Sequence, residues 1–434
     1  MEHTIMRKLA FCFLAFTAIS SALMAQVKTT TLQVSTPPAA GMSAERLKRM
    51  DTMLTGWVDR GRTNGAVALI VRNGKIVYHK AFGYNDAEKK DPIQTDDIYR
   101  IASQTKAITS VAVMMLYEEG RFLLDDPLSR YIPEFAKPQV LDKFNAQDSS
   151  YTTVPARSEI TIRQLLTHTS GIGYSQIGSR EANAIYAKAN ITAGIGAEGQ
   201  HVLGTDIRKL GKLPLMHQPG ERWTYGLNTD VLGYLVEVLS GLTLDQFFRT
   251  RIFEPLGMKD TYFNVPAAKH GRVVNLYLEN NRQLVKAGSV VNQNGNFMVD
   301  YPKTGSTYFS GGAGLSSTAL DYAVFLQMLL NGGEYGGKRI LSRNTVRLMT
   351  MNQIGDIDFG VSKFGLGFGI TTEKGSGVMP TPAGVFEWGG AFSTLYWADP
   401  KEKLVGILYR QLWGTTHGDA ANKFKVMVYS AIND

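Results

Sequence analysis

"YRIASQTKAITSVAVMMLYEEG", residues 99–120, decides how the chain is read. Its apolar residues recur at helical spacing through Ala107, Ile108, Val111, Ala112 and Met115, and a β-rich stretch precedes it. Ser103 therefore opens a long helix, and Lys106 follows one turn later. Residues three apart on a helix project from one face with Cβ atoms about 5–6 Å apart, so the two side chains can share a hydrogen bond. Amides at a helix start gather partial positive charge, which stabilises a developing alkoxide or oxyanion beside Ser103. The Lys106 stem enters an apolar interior. Burial disfavours the ammonium form, the condition under which a lysine accepts protons near neutral pH. A Ser-x-x-Lys tetrapeptide arises by chance about once in a chain of this size. Its placement carries the argument.

Working outward, "GAVALIVRNGKIVYHKAFGY" (65–84) holds two β-rich runs about Asn73-Gly74, a strong hairpin signal. Before it, "SAERLKRMDTMLTGWVDRG" (43–61) has helical spacing with Ser43 as cap. Residues 26–41 are polar with a proline pair and read as a mobile linker, so the folded domain spans 42–434. After the quoted helix, "TIRQLLTHTSG" (161–171) and "LNTDVLGYLVEVLSG" (227–241) continue a mainly helical lobe over about 101–319. Strands return in "FGLGFGIT", "GVFEWGG", "FSTLYWADP" and "EKLVGILYRQL", and "DAANKFKVMVYSAI" closes the chain as a helix. An α/β fold follows, with an antiparallel sheet assembled from about 42–100 and 320–434, flanked by helices and packed beside the lobe. The site belongs in the cleft between them.

Two further stretches bring chemistry to that cleft. In "HQPGERWTYGLNTDVLG" (217–233), Tyr225 falls on a loop before a helix, where its phenol can reach the cleft. A phenol of ordinary pKa about 10 is a poor base unless a cation stabilises the phenolate, and Lys106 supplies one. In "FEWGGAFSTLYW" (386–397), Gly389-Gly390 within a strand marks a bulge or a close approach of another backbone or a ligand.

Residues 1–25 carry Arg7 and Lys8, an apolar run over 9–19 and a small-residue stretch ending at Ala25, the pattern of a secretory signal peptide. The expectation is a periplasmic or secreted protein with no stable membrane span after cleavage, because the apolar run falls short of the ~20 residues a spanning helix needs. Cleavage would remove the single cysteine, Cys12, excluding disulfides, thiol catalysis and thiolate metal sites. It would also remove Arg7, Lys8 and Glu2, lowering the formal charge from +8 by one. No basic run interleaved with aromatics suggests nucleic-acid binding. No Gly-x-Ser-x-Gly elbow and no His-Glu-x-x-His occurs, and no cofactor motif is present.

Taken in order, the serine–lysine helix, the tyrosine loop and the Trp-Gly-Gly strand resemble the serine β-lactamase and penicillin-binding protein superfamily. The likeness extends through "LLTHTSG", "FEPLGM" and "GGAGLSST" and is nearest the class C-like branch containing the family VIII serine carboxylesterases. It implies a β-lactamase/transpeptidase-like fold in which Ser103 is the acylated nucleophile, Lys106 its proton partner and Tyr225 the base. It further implies an oxyanion hole from the amides of Ser103 and Ala391, and substrate binding by Trp388, Gly389, Gly390, Tyr174 and Asn228. Two departures from the β-lactamase pattern bear on substrate. The asparagine expected two residues after the tyrosine is replaced by Leu227, with Asn228 one residue late. Trp388-Gly389-Gly390 stands where those enzymes carry Lys-Thr-Gly. Exchanging a cation for an indole favours neutral esters. The expectation is a small-molecule ester or amide hydrolase. The competing readings are a β-lactamase or D-alanyl-D-alanine peptidase, and a non-catalytic envelope binding protein of the same fold.

Overall fold

The computed structural model describes residues 31–197, 201–291 and 297–434. Residues 1–30, which include the expected signal peptide, lie outside them. The first helix, α1 (Ala44–Asp59), is capped by the Ser43 hydroxyl, which accepts the Arg46 amide, and buries Leu47, Met50, Leu54 and Trp57 along one stripe. Strands β2 (Gly65–Arg72) and β3 (Lys75–Asp86) form the expected hairpin, with Asn73 and Gly74 both at positive φ as a type I′ turn requires.

Five further strands complete the main path: β4 (Ser362–Phe364), β5 (Gly369–Thr371), β6 (Phe386–Gly390), β7 (Thr394–Asp399) and β8 (Leu404–Tyr409). With the edge strand β1 (Gln33–Val34), the order is β1-β3-β2-β8-β7-β6-β5-β4. The central strand β2 is buried along its whole length because both faces are covered. Ala66, Ala68 and Ile70 face α1 and the last helix, α5 (Ala420–Ser430), while Val67, Leu69 and Val71 join the larger core beneath α4 (Ala319–Leu330).

The lobe is built on α2 (Thr105–Glu118), which packs against α3 (Asn228–Ser240). Helix α3 ends at Gly241 with φ 72°, the left-handed cap a glycine adopts without strain.

Three expectations need correction. The sheet is mixed, because β1 pairs with β3 in parallel. Residues 33–41 of the expected linker are fixed in place: beyond β1, a 3₁₀ turn at Pro38–Ala40 offers its carbonyls to Arg72 and Lys75. The lobe also contains antiparallel strand pairs, among them Gln139–Phe144 with Tyr151–Pro155 and Tyr277–Asn280 with Gln283–Lys286. The second pairs with Leu412–Trp413, so the C-terminal segment crosses into the lobe. Chain start and chain end meet as well: Ser43 N donates to Ala431 O, Asn433 N to Gly41 O, and Arg72 pairs with Asp434 at 2.7 Å.

Candidate active site

Ser103 sits in a 3₁₀ turn, Ala102–Gln104, that runs directly into α2. Ala102 is held at φ 42°, a left-handed conformation costly for a residue with a Cβ, and it is fully buried. Strand β6 packs against this turn. A Cβ on Gly390 would lie 2.3 Å from Ile101 O and 2.2 Å from Thr394 Oγ1, so the close approach of another backbone is what requires glycine there.

The three expected reactive groups converge. Tyr225 Oη donates to Ser103 Oγ at 2.7 Å, and Lys106 Nζ lies 3.3 Å from the same oxygen. Lys106 is almost completely buried and also donates to Tyr174 Oη (3.0 Å) and Gly312 O (2.7 Å). Its ammonium lies 4.6 Å from the Tyr225 ring centroid. Tyr225 is fixed by rings on several sides, stacking on Trp223 and leaning on His168, Tyr174 and Trp388. The Trp388 indole N–H donates to its hydroxyl at 3.3 Å.

The surrounding titratable groups are buried, and burial sets their charge. It pushes the Tyr174 phenol well above its ordinary range, with neighbouring Tyr225 and Asp230 adding to the effect, so the neutral Tyr174 phenol oxygen accepts a hydrogen bond from Lys106 Nζ. It drives His168 well below the usual imidazole value, and the Lys106 charge pushes the same way. Neutral His168 receives the Asn228 amide at Nδ1 (3.0 Å) and makes no contact with Ser103. Burial also raises the Asp230 carboxyl, opposed by hydrogen bonding from Ser310 (2.6 Å) and by the Lys106 charge.

Ser103, Tyr174, Tyr225, Trp388, Gly389, Gly390 and Ala391 all line one cavity of ≈ 410 Å³. Asn228 does not. It is completely buried, accepts the Ser170 hydroxyl and donates to His168 and Ile172 O, so its role is to hold the Thr-His-Thr-Ser turn under Tyr225. Sequence reasoning missed Gln176, Ile177, Ala313 and Trp413 as lining residues and Asp230 beneath Lys106. Ala193 and Ile195 also line the cavity and come from the glycine-bearing segment 181–200, read from sequence as framing the entrance. Among the described residues no cluster of three or more metal-ligating side chains occurs, and no single helix is long and apolar enough to cross a membrane.

A hydroxyl contacted by an amine and a phenol, in a cleft between a sheet and a helical lobe, defines a serine hydrolase of the β-lactamase/transpeptidase fold. Residues 48–428 match the family model described as Beta-lactamase, and the chain belongs to that family. Lovastatin esterase of Penicillium rubens is 31% identical over 379 residues, covering 82% of this chain and 91% of that protein. Esterase EstB of Burkholderia gladioli is 28% identical over 414 residues, covering 91% and 97%. The solved structure of EstCE1, described as a hydrolase with promiscuous acyltransferase activity, superposes with a TM-score of 0.76 at 25% identity, covering 90% of this chain and 98% of that one.

Proposed function

We propose that the protein hydrolyses neutral carboxylic esters through an acyl-enzyme on Ser103. The observation that carries this reading is the position of Ser103 Oγ, within hydrogen-bond reach of Tyr225 and Lys106 and facing a cavity that, among the described residues, is lined by no charged side chain. Ser103 Oγ attacks the ester carbonyl carbon, and its proton passes to the Lys106 and Tyr225 pair, which reacts in the form where one of the two groups, the amine or the phenol, has already given up its proton. The tetrahedral oxyanion is held by the amides of Ser103 and Ala391. Collapse breaks the bond to the alcohol oxygen, which takes the proton and leaves. Water then repeats the sequence: it loses a proton to the same pair, its oxygen attacks the acyl carbon, and Ser103 departs and is reprotonated. Trp388 and the aliphatic lining accept an uncharged acyl group and offer a carboxylate no partner. The esterase names of two relatives support the same reading.

We also propose that the protein acts in the periplasm or outside the cell once residues 1–25 are removed, on the strength of Arg7, Lys8 and the apolar run that follows.

Mass spectrometry of the intact protein after brief exposure to p-nitrophenyl butyrate tests the reaction. The expected result is a butyryl adduct on Ser103 that disappears as turnover completes. Penicillin hydrolysis at a rate rivalling the ester would replace this reading with the β-lactamase one.

A further inference from the structure

The two oxyanion amides come from segments far apart in sequence, Ser103 at the head of α2 and Ala391 just after β6. Oxyanion donors act only within a few tenths of an ångström of their proper place, so something must set their separation. Arg100, three residues before Ser103, is fully buried, and burial lowers its guanidinium from the ordinary value. Among the described residues its one ion-pair partner is Asp300, whose carboxylate is 3.9 Å away and half exposed. Its short bonds go to uncharged acceptors instead: Nε to Val299 O (2.8 Å), and Nη1 to Val274 O (2.7 Å) and Gln411 Oε1 (3.2 Å). A buried cation without a close carboxylate is poor value for stability alone, since apolar residues of similar volume pack as well.

Gln411 returns the contact. Its Oε1 also accepts the Arg100 amide (3.1 Å), and its Nε2 donates to Arg100 O (3.1 Å), so one side chain closes on both backbone polar groups of Arg100. The next residue, Leu412, donates its amide to Phe392 O (3.1 Å) and accepts the Ser393 hydroxyl (3.0 Å). Phe392 adjoins Ala391, and its ring packs in the same cluster as Ala102. A continuous set of bonds thus runs from Arg100, two residues before the strained Ala102, to Phe392, the residue beside the second oxyanion amide.

We propose that Arg100 and Gln411 are positioning residues that fix the spacing of the Ser103 and Ala391 amides, setting the rate of acyl transfer and leaving substrate affinity alone. This rests on the reading of those amides as the oxyanion hole.

The test uses Gln411→Glu, which keeps the acceptor for Arg100 and loses the N–H donated to Arg100 O. With p-nitrophenyl butyrate, kcat falls about 10- to 100-fold while KM stays within about threefold. Affinity for butylboronic acid, which forms a tetrahedral adduct on Ser103, falls in parallel, and affinity for unreactive 1-octanol, read by fluorescence of Trp388 and Trp413, does not. Arg100→Lys, which preserves the charge and loses the fork, falls between Gln411→Glu and the unaltered protein. Ser393→Gly covers the case in which the buried substitutions prevent folding. It removes only the hydroxyl bond to Leu412 O at a position of φ 64°, which glycine accepts, and lowers kcat about threefold at constant KM. Unchanged kcat in Ser393→Gly or in folded Gln411→Glu overturns the proposal, as does a matching loss of 1-octanol binding, which marks collapse of the cavity. Fluorophosphonate labelling of Ser103 in the unaltered protein separates this failure from failure of the hydrolase reading itself.

Discussion

The floor and the rim of the cavity are built on different principles. On the floor, Ser103, Lys106 and Tyr225 are polar groups hydrogen-bonded to one another and to Gly312 O, Tyr174 and Trp388, and they stand at the head of α2 and on the loop before α3. At the rim, Ile177, Ala193, Ile195 and Trp413 come from a loop-rich segment and a two-residue strand, and they offer surface without a directed bond to the reacting atoms. Ile177 is 45% exposed, whereas Lys106 is 2% exposed. The difference teaches that chemistry and selectivity are separable here: the floor tolerates almost no displacement, and the rim can be resurfaced.

The sharpest break of that contrast is Ser103→Ala, which should lower ester turnover at least about 10⁴-fold while the melting temperature stays nearly constant. Steady-state assay and calorimetry on the purified variant check both halves, and retained turnover removes the floor from the argument. Lys106→Ala should slow acylation about 10³-fold, seen as loss of the pre-steady-state burst; a normal burst contradicts the lysine's part in proton transfer. At the rim, Ile195→Trp should cut kcat/KM for octanoate about tenfold and leave acetate within about twofold, as a wall that meets only the longer chain requires. A panel of p-nitrophenyl esters reads the ratio, and equal losses across the panel would show that the rim is coupled to the floor.

The smallest effect concerns pH. His168 titrates well below 6.5 in the folded protein because of burial and the Lys106 charge, while the unfolded chain takes up its proton near 6.5. At His168 the unfolded state therefore binds more protons below that pH, and this residue's contribution to stability falls as pH drops, by up to about 1.4 kcal/mol per unit until the folded histidine also protonates, against the opposite slope of Asp97 and Asp321, whose carboxyls burial raises to about 6. His79 and His217, likewise lowered by burial, steepen the His168 slope. Urea melts at pH 7 and 5.5 measure it, and His168→Asn, compatible with the φ of 57° at that position, should flatten it.

Much of the floor was legible in the sequence because its signals are local. A serine before an amphipathic helix, an Asn-Gly hairpin and two glycines in an aromatic strand each follow from the geometry of a few neighbouring residues. The rest was set by distance along the chain. Arg100 and Gln411 meet across 311 positions, and nothing in "YRQLW" distinguishes a clamp from an ordinary strand end. Trp413 joins the cavity only because a two-residue strand pairs with a hairpin of the lobe. Asn228 looked like a substrate contact from its place after Tyr225, but the helical twist turns it inward to Ser170 and His168. Residues 33–41 looked like a tether because their composition is polar, yet Arg72 and Lys75 capture their carbonyls.

The pairing of β2 with β8 joins residues 65–72 to residues 404–409 at the centre of the sheet. A chain emerging from its N-terminus first therefore cannot finish this sheet until nearly its whole length has appeared. Its two halves must meet late, by a search over hundreds of residues, which makes closure of the sheet slow.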